Sequence, residues 1–268
     1  MKTTVDIGGR GVTVDLSSPV SLALELDFGS AQPQHFGAPP ATSRPFVSPG
    51  FNGSVATGAS CNCNVITVIP HCNGTHTECA GHLTREPYDA YRVVPTDLIP
   101  ALVVSVEPVA ANDASAGTES TDPTPQKTDT LITRYALERH WRTGLPFAPR
   151  ALIVRTGYKA IPGASAAYLT REAATLLVER RIDHLVIDLP SIDRNHDQGR
   201  LTAHRTFFGL PPASHSLADA TRRSATITEL AHVPAGVSAG PCLLAIQVPA
   251  WRGDAVPSRP LLYSLIQP

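Results

Sequence analysis

The stretch Val65-Ile-Thr-Val-Ile69-Pro70-His71-Cys-Asn-Gly-Thr-His76-Thr-Glu78-Cys-Ala-Gly-His82 runs from a β-branched segment directly into a cluster of imidazoles. Val65–Ile69 reads as a strand that stops at Pro70, because proline has no N–H to give a sheet ladder. Three histidines and a glutamate then fall within twelve residues. Imidazole nitrogens and a carboxylate together suit borderline divalent cations such as Zn²⁺ or Mn²⁺. Gly74 is expected to let the backbone turn tightly between His71 and His76, so that both rings converge. His76 and Glu78 stand two apart, and in extended backbone they project from one face. His82 follows a flexible step at Gly81, either as a further ligand or as a free base beside the ion. A lone histidine is more often a core or surface residue than a ligand. Three of the chain's ten histidines, interleaved with an acid and set after a strand, make metal binding the stronger reading.

Working outward, the apolar runs Ala101–Val106, Ala151–Val154, His184–Asp188 and Cys242–Val248 read as further strands. Two segments between them carry helical spacing. Leu131–Trp141 follows a cap at Thr128-Asp129, and Thr170–Arg180 opens on Thr170 in the same way. Strands alternating with helices imply a layered α/β domain, and we expect one domain over 1–268. Residues 18–62 are rich in Pro, Gly, Ser and Ala, with Phe28, Phe36, Phe46 and Phe51 interspersed. Such a segment can wrap a surface and offer aromatic faces to a ligand, or clamp the body or an oligomer partner; both readings stay open. Residues 107–127 are polar and of low complexity, and are expected to form a mobile surface loop.

Composition excludes several classes. Of 268 residues, 42% are hydrophobic and 17% charged, which is too apolar for disorder. A formal net charge of −1 and the lack of any basic run argue against nucleic acid or an anionic membrane as partner. No apolar run approaches the roughly 18 residues that span a bilayer. The five cysteines are an odd number, so a complete disulfide framework is excluded, and a reducing cytoplasm is the expected location. Cys61, Cys63, Cys72 and Cys79 could form a structural zinc site, but Cys-x-Cys without a second knuckle matches that poorly. They read better as small buried residues packed beneath the site. Gly58-Ala-Ser60-Cys does not complete the Gly-x-Ser-x-Gly elbow of a serine hydrolase, and Gly8-Gly-Arg-Gly11 is too short for a nucleotide loop.

His71–His82 resembles the signature His-x-Gly-Thr-His-x-Asp-x-Pro-x-His of the cyclase-like metal hydrolases, a family that includes bacterial kynurenine formamidase, isatin hydrolase and a dienelactone hydrolase. His184-Leu-Val-Ile-Asp-Leu-Pro-Ser-Ile-Asp193, Ala203-His204, Thr228-Glu229-Leu230 and Pro257–Tyr263 are similar to later elements of that family, so the likeness spans about residues 55–265. It implies a swivelling β/β/α-type domain with a mixed sheet and flanking helices, often a homodimer or larger homo-oligomer. It also implies hydrolysis of a small amide, lactam or ester, with an aromatic or cyclic small-molecule substrate. By that likeness His71, His76 and Glu78 would hold a first divalent metal, and Glu78, His204 and Glu229 a second where two ions bind. His82 would be the catalytic base, while Ser191 and Asp193 would orient a ligand imidazole by accepting its other N–H. The chain departs from the pattern by one residue inserted before Gly-Thr-His76, by Glu78 where aspartate is usual, and by Cys79-Ala80 in place of Ala-Pro. The insertion makes His71 the least secure of the ligands. The 25 positions from His204 to Glu229 (229 − 204) are wider than kynurenine formamidase itself suggests. A non-catalytic, metal-stabilised binding or scaffold protein of the same fold is the alternative.

Overall fold

Eleven strands pair into one mixed sheet: β1 (Lys2–Ile7), β2 (Arg10–Asp15), β3 (Val20–Ser21), β4 (His76–Cys79), β5 (Ile99–Ser105), β6 (Ala151–Arg155), β7 (His184–Ile187), β8 (Thr226–Glu229), β9 (Gly240–Gln247), β10 (Ala255–Pro257) and β11 (Arg259–Ile266). This computed structural model describes residues 1–113, 116–159 and 165–266. The strand order is β1-β2-β11-β9-β5-β6-β7-β8-β4-β10, with β3 also on β11. The central run β5-β6-β7-β8 is parallel, whereas β9 flanks it antiparallel on one side and β4 on the other.

Those parallel strands read as continuous apolar runs because both their faces are covered. Leu102, Val104, Leu152, Val154, Leu185, Ile187 and Ile227 pack under three helices, α1 (Arg134–His140), α2 (Arg171–Glu179) and α3 (Thr202–Phe208), against Leu137, Leu176, Leu177, Phe207 and Phe208. The alternate residues Ala101, Val103, Ala151, Ile153 and Val186 fill the opposite face with Leu22, Leu244 and Leu262. At about 1.5–3 kcal/mol for each large side chain buried, this two-faced core holds the strand ends where the chemistry sits. The architecture is the mixed α/β domain expected, with a large sheet and few helices.

Three local expectations need correcting. The strand from Val65 exists as Asn64–Thr67, but it pairs with Thr42–Pro45 in a separate ribbon and leaves Ile66 58% exposed, so it adds nothing to the core. The helix expected from Leu131 starts at Arg134: Leu131 and Ile132 run parallel to Tyr168 and Leu169 in a small sheet. Thr133, not Thr128-Asp129, is the cap, its hydroxyl accepting from Ala136 N at 3.0 Å. Gly74 does not make a tight turn, since its backbone is fully extended; the reversal is made by one helical turn, Pro70–Asn73. Thr170 caps α2 as anticipated, accepting from Ala173 N. Residues 107–127 carry the short strand Val109–Ala110 and contact two helices through Glu119, which accepts from Arg134 N at 2.7 Å and from the Thr170 hydroxyl at 2.6 Å. Among the described residues, no helix is long and apolar enough to cross a membrane.

Candidate metal centre

The centre lies between the β8–β4–β10 side of the sheet and α3. Antiparallel register sets Ile227 opposite Glu78 and Glu229 opposite His76, while Ala255 and Pro257 of β10 flank the same two positions from the other side. Opposed residues share a face, so His76, Glu78 and Glu229 join Ile227 on the helix side of the sheet. Thr77 and Thr228 turn the other way and bond each other at 2.7 Å. The helical turn Pro70–Asn73 brings His71 over β4, and α3 delivers His204. The chain kinks after Glu229, with Leu230 in the left-handed region at φ 51°. Gly81 is required by space rather than flexibility, because a Cβ there would meet the Tyr88 carbonyl at 2.5 Å.

Four imidazoles share one pattern: one nitrogen faces an acceptor, and the other is turned toward Glu78 or Glu229. His76 Nδ1 donates to the Gly74 carbonyl at 3.0 Å, leaving Nε2 3.5 Å from Glu229 Oε2. His204 Nδ1 donates to Asp193 Oδ2 at 2.7 Å, leaving Nε2 3.0 Å from Glu78 Oε1 and 3.4 Å from Glu229 Oε1. His71 Nε2 donates to Asp254 Oδ2 at 2.9 Å, and its Nδ1 lies 3.1 Å from Glu78 Oε2. His82 Nδ1 lies 3.3 Å from the same Asp254 oxygen, and its Nε2 lies 3.9 Å from Glu78 Oε2. Fixing one ring nitrogen decides the tautomer, and so which lone pair is free.

The inner atoms are short of partners. His76 Nε2, both carboxylate oxygens of Glu78 and His204 Nε2 are buried without a hydrogen bond of acceptable angle, although His204 Nε2 lies 3.0 Å from Glu78 Oε1. Lone pairs aimed at common space rather than at each other produce that combination, and a cation is what such space accepts. His71, His76 and Glu78 offer ligand atoms within 4.8 Å of one another, as do Glu78, His82 and His204, and also His71, His82 and Asp254. No cysteine enters any of these groups, so the thiolate zinc reading finds no support among the described residues. Nor are the four clustered cysteines all buried beneath the site: Cys61 and Cys63 are exposed, because they lead into the solvent-facing ribbon strand Asn64–Thr67, and Cys72 is half-buried. Cys79 is buried and donates to the Tyr88 carbonyl, and burial pushes its thiol up to about 12.

The electrostatics agree. Burial alone would raise Glu78, but the charges of His82 and His204 hold it well below the usual carboxylate range. Glu229 is likewise raised by burial and, on balance, held down by His204 and His76. Burial disfavours the charged forms of His71 and His204. Bonds to Asp254 and Glu78 nevertheless hold His71 up at about 10, and Glu78 and Asp193 hold His204 well above its ordinary value. Without a cation, then, the carboxylates draw protons onto the same nitrogens, and a divalent ion competes for that position.

The structure therefore gathers His71, His76, Glu78, His82, His204 and Glu229 in one place, His71 included despite the inserted residue. Asp193 accepts from Ala203 N and His204 N as well as from the imidazole, at 2.8, 3.0 and 2.7 Å. Among the described residues no hydrogen bond joins Ser191 to an imidazole; its hydroxyl accepts from Asp193 N at 3.1 Å. Asp254 escaped the sequence reading. In Trp251-Arg-Gly-Asp254 it looks like a polar turn, and only the pairing of β10 with β4 sets it beside His71 and His82.

This donor set lies on a mixed sheet with helices packed over one side, an α/β domain whose His/Glu cluster could hold a metal ion. A family model, Cyclase ("Putative cyclase"), matches residues 14–194, and the chain belongs to that family. Among solved structures, one titled a potential metal-dependent hydrolase with cyclase activity superposes with a TM-score of 0.60 at 17% identity, covering 94% of this chain and 99% of that one. A predicted metal-dependent hydrolase from Bacillus stearothermophilus gives 0.57 at 16%, covering 92% and 98%. An isatin hydrolase bound to the product analogue thioisatinate gives 0.58 at 16%, covering 92% of each. At such identities the likeness is one of fold. No curated protein matches the chain.

Proposed function

We propose that this protein is a divalent-metal-dependent hydrolase that cleaves a small amide, lactam or ester. The observation that carries the reading is the set of buried, unpartnered ligand atoms on His76, Glu78 and His204, each imidazole fixed from behind by an acceptor. His71, His76 and Glu78 would hold one ion. Glu78 turns its second oxygen to His204, which with Glu229 would hold another, so one or two ions of Zn or Mn type suit the donors. A cation there would act as a Lewis acid and lower the pKa of its water from about 15.7 toward about 7.

The chain's own groups do the rest. His82 is 27% exposed at its side chain, unlike the wholly buried His76, and so can meet both solvent and ligand. We assign it the proton: it takes one from the attacking water and returns it to the leaving nitrogen or oxygen as the C–N or C–O bond breaks. Asp254 holds the His82 ring at Nδ1, and Asp193 fixes the lone pair of His204. A small aromatic or cyclic substrate is supported by the fold likeness to two isatin hydrolases, one bound to thioisatinate and one, from Labrenzia aggregata, bound to benzyl benzoate. We further propose a cytoplasmic homodimer or larger homo-oligomer acting on free small molecules, with neither nucleic acid nor membrane as partner.

The test is metal analysis of the purified protein together with hydrolysis of isatin, N-formylkynurenine and simple lactones, with and without chelator. Turnover abolished by chelator and restored by one divalent metal is expected. Stoichiometric metal without turnover on any of them would favour the non-catalytic scaffold instead.

A further inference from the structure

Outside the centre, the buried side-chain atoms without a partner among the described residues are His35 Nε2, His184 Nε2 and Ser258 Oγ. Ser258 lines a cavity of about 150 Å³ beside the end of the β10–β4 pairing. An apolar cavity of about that size takes up a benzene ring. Leu24, Leu26, Val68, Pro70 and Pro257 make its walls and are all half-buried, whereas Thr75 and Ser258 are buried. The cavity therefore opens outward between apolar side chains and ends on two hydroxyls. Gly74 completes the lining, and a Cβ there would meet nothing within 4 Å.

Only one of those hydroxyls is free. Thr75 Oγ1 accepts from Leu24 N at 2.7 Å and donates to the Leu230 carbonyl. Nearby backbone groups are also engaged: the Gly74 carbonyl takes His76 Nδ1, and Ser258 N donates to the Thr75 carbonyl, both at 3.0 Å. Pro70 and Pro257 have no N–H to offer. Buried hydroxyls are normally bonded, so Ser258 Oγ stands ready to donate to or accept from a ligand. No charged side chain lines the cavity, so a charged ligand would lose its hydration without gaining a counter-ion.

The cavity backs onto the metal centre without including it. Pro70 leads into His71, Gly74 and Thr75 lead into His76, and Pro257 pairs with His76 across the sheet. None of His71, His76, Glu78, His82, His204, Glu229 or Asp254 lines it.

We propose that this cavity is a second binding site, for a small uncharged ring bearing one hydroxyl or carbonyl group that hydrogen-bonds Ser258 Oγ. It is separate from the metal ligands, and it stands whether or not the centre is hydrolytic.

Phenol and toluene serve as probes, titrated into the metal-loaded protein by ligand-observed NMR. Toluene reads the apolar walls, and phenol reads the walls and the hydroxyl together. Wild-type protein should bind both, with a Kd of about a millimolar or below. Ser258→Ala should weaken phenol about 3- to 10-fold and leave toluene within about twofold, because only phenol loses a hydrogen bond. Leu26→Trp, which fills the cavity, should abolish binding of both probes while metal content and the unfolding transition show the fold intact. Should Leu26→Trp fail to fold, the Ser258→Ala comparison decides alone. Binding of neither probe by the wild type would overturn the proposal. So would a Ser258→Ala variant that changed both affinities equally or neither, and so would wild-type phenol affinity in folded Leu26→Trp.

Discussion

Asp193→Asn removes one charge and one acceptor from a carboxylate that is 7% exposed and fully engaged. Oδ1 accepts from Ala203 N at 2.8 Å, while Oδ2 accepts from His204 N at 3.0 Å and His204 Nδ1 at 2.7 Å. An asparagine keeps a single oxygen. Placed at Oδ2 it still serves His204, but its NH₂ then confronts the Ala203 N–H; turned over, it confronts both His204 donors. Either way a buried donor at the start of α3 is left unsatisfied, at about 1–3 kcal/mol of stability in the metal-free protein. The imidazole also loses a charged acceptor that fixes its free lone pair, and second-layer partners of this kind are worth about 10–100-fold in metal affinity. Urea unfolding of the metal-free protein and competition against a chromophoric chelator read the two effects separately. A variant with wild-type metal affinity would refute the role given to Asp193, and through it the placing of His204 among the ligands.

Other outcomes follow from the same geometry. His76→Ala should lose both metal and activity, whereas His82→Ala should keep its metal and lose most of kcat; equal metal and equal activity in the two variants would erase the division between ligand and base. Asp254→Asn should lower kcat about tenfold with little change in KM, since Asp254 holds two imidazoles without reaching the inner ligand atoms; unchanged kcat would make it a surface acid. Stability should also fall in acid through His184, which is 1% exposed, bonded to the Thr226 hydroxyl at 2.9 Å, and lowered by burial from 6.5 to about 4. The unfolded chain binds that proton first, so the contribution is whole above pH 6.5 and is lost as pH falls toward 4. At pH 5 the loss is about 2 kcal/mol relative to pH 7. His184→Leu should be flatter over that interval by this amount in urea unfolding, and parallel curves would show that His184 is not responsible.

The local chemistry was written in the chain. Thr170 before an amphipathic run made the start of α2 readable, and the apolar runs at 101, 151, 184 and 242 announced strands. The pair His76 and Glu78 pointed to one metal face, because alternation along a strand is a property of the backbone alone. What only tertiary structure decided is who joins them. His204 arrives by helix α3 and Glu229 through antiparallel register with His76. Asp254 enters from an unremarkable turn because β10 pairs with β4. The same dependence explains the misreadings. Gly74 needed no special backbone because a helical turn made the reversal, and Val65–Ile69 faced solvent because its partner strand lay outside the main sheet. Periodicity and residue type are local quantities, whereas pairing register and loop closure depend on contacts between residues far apart in the chain.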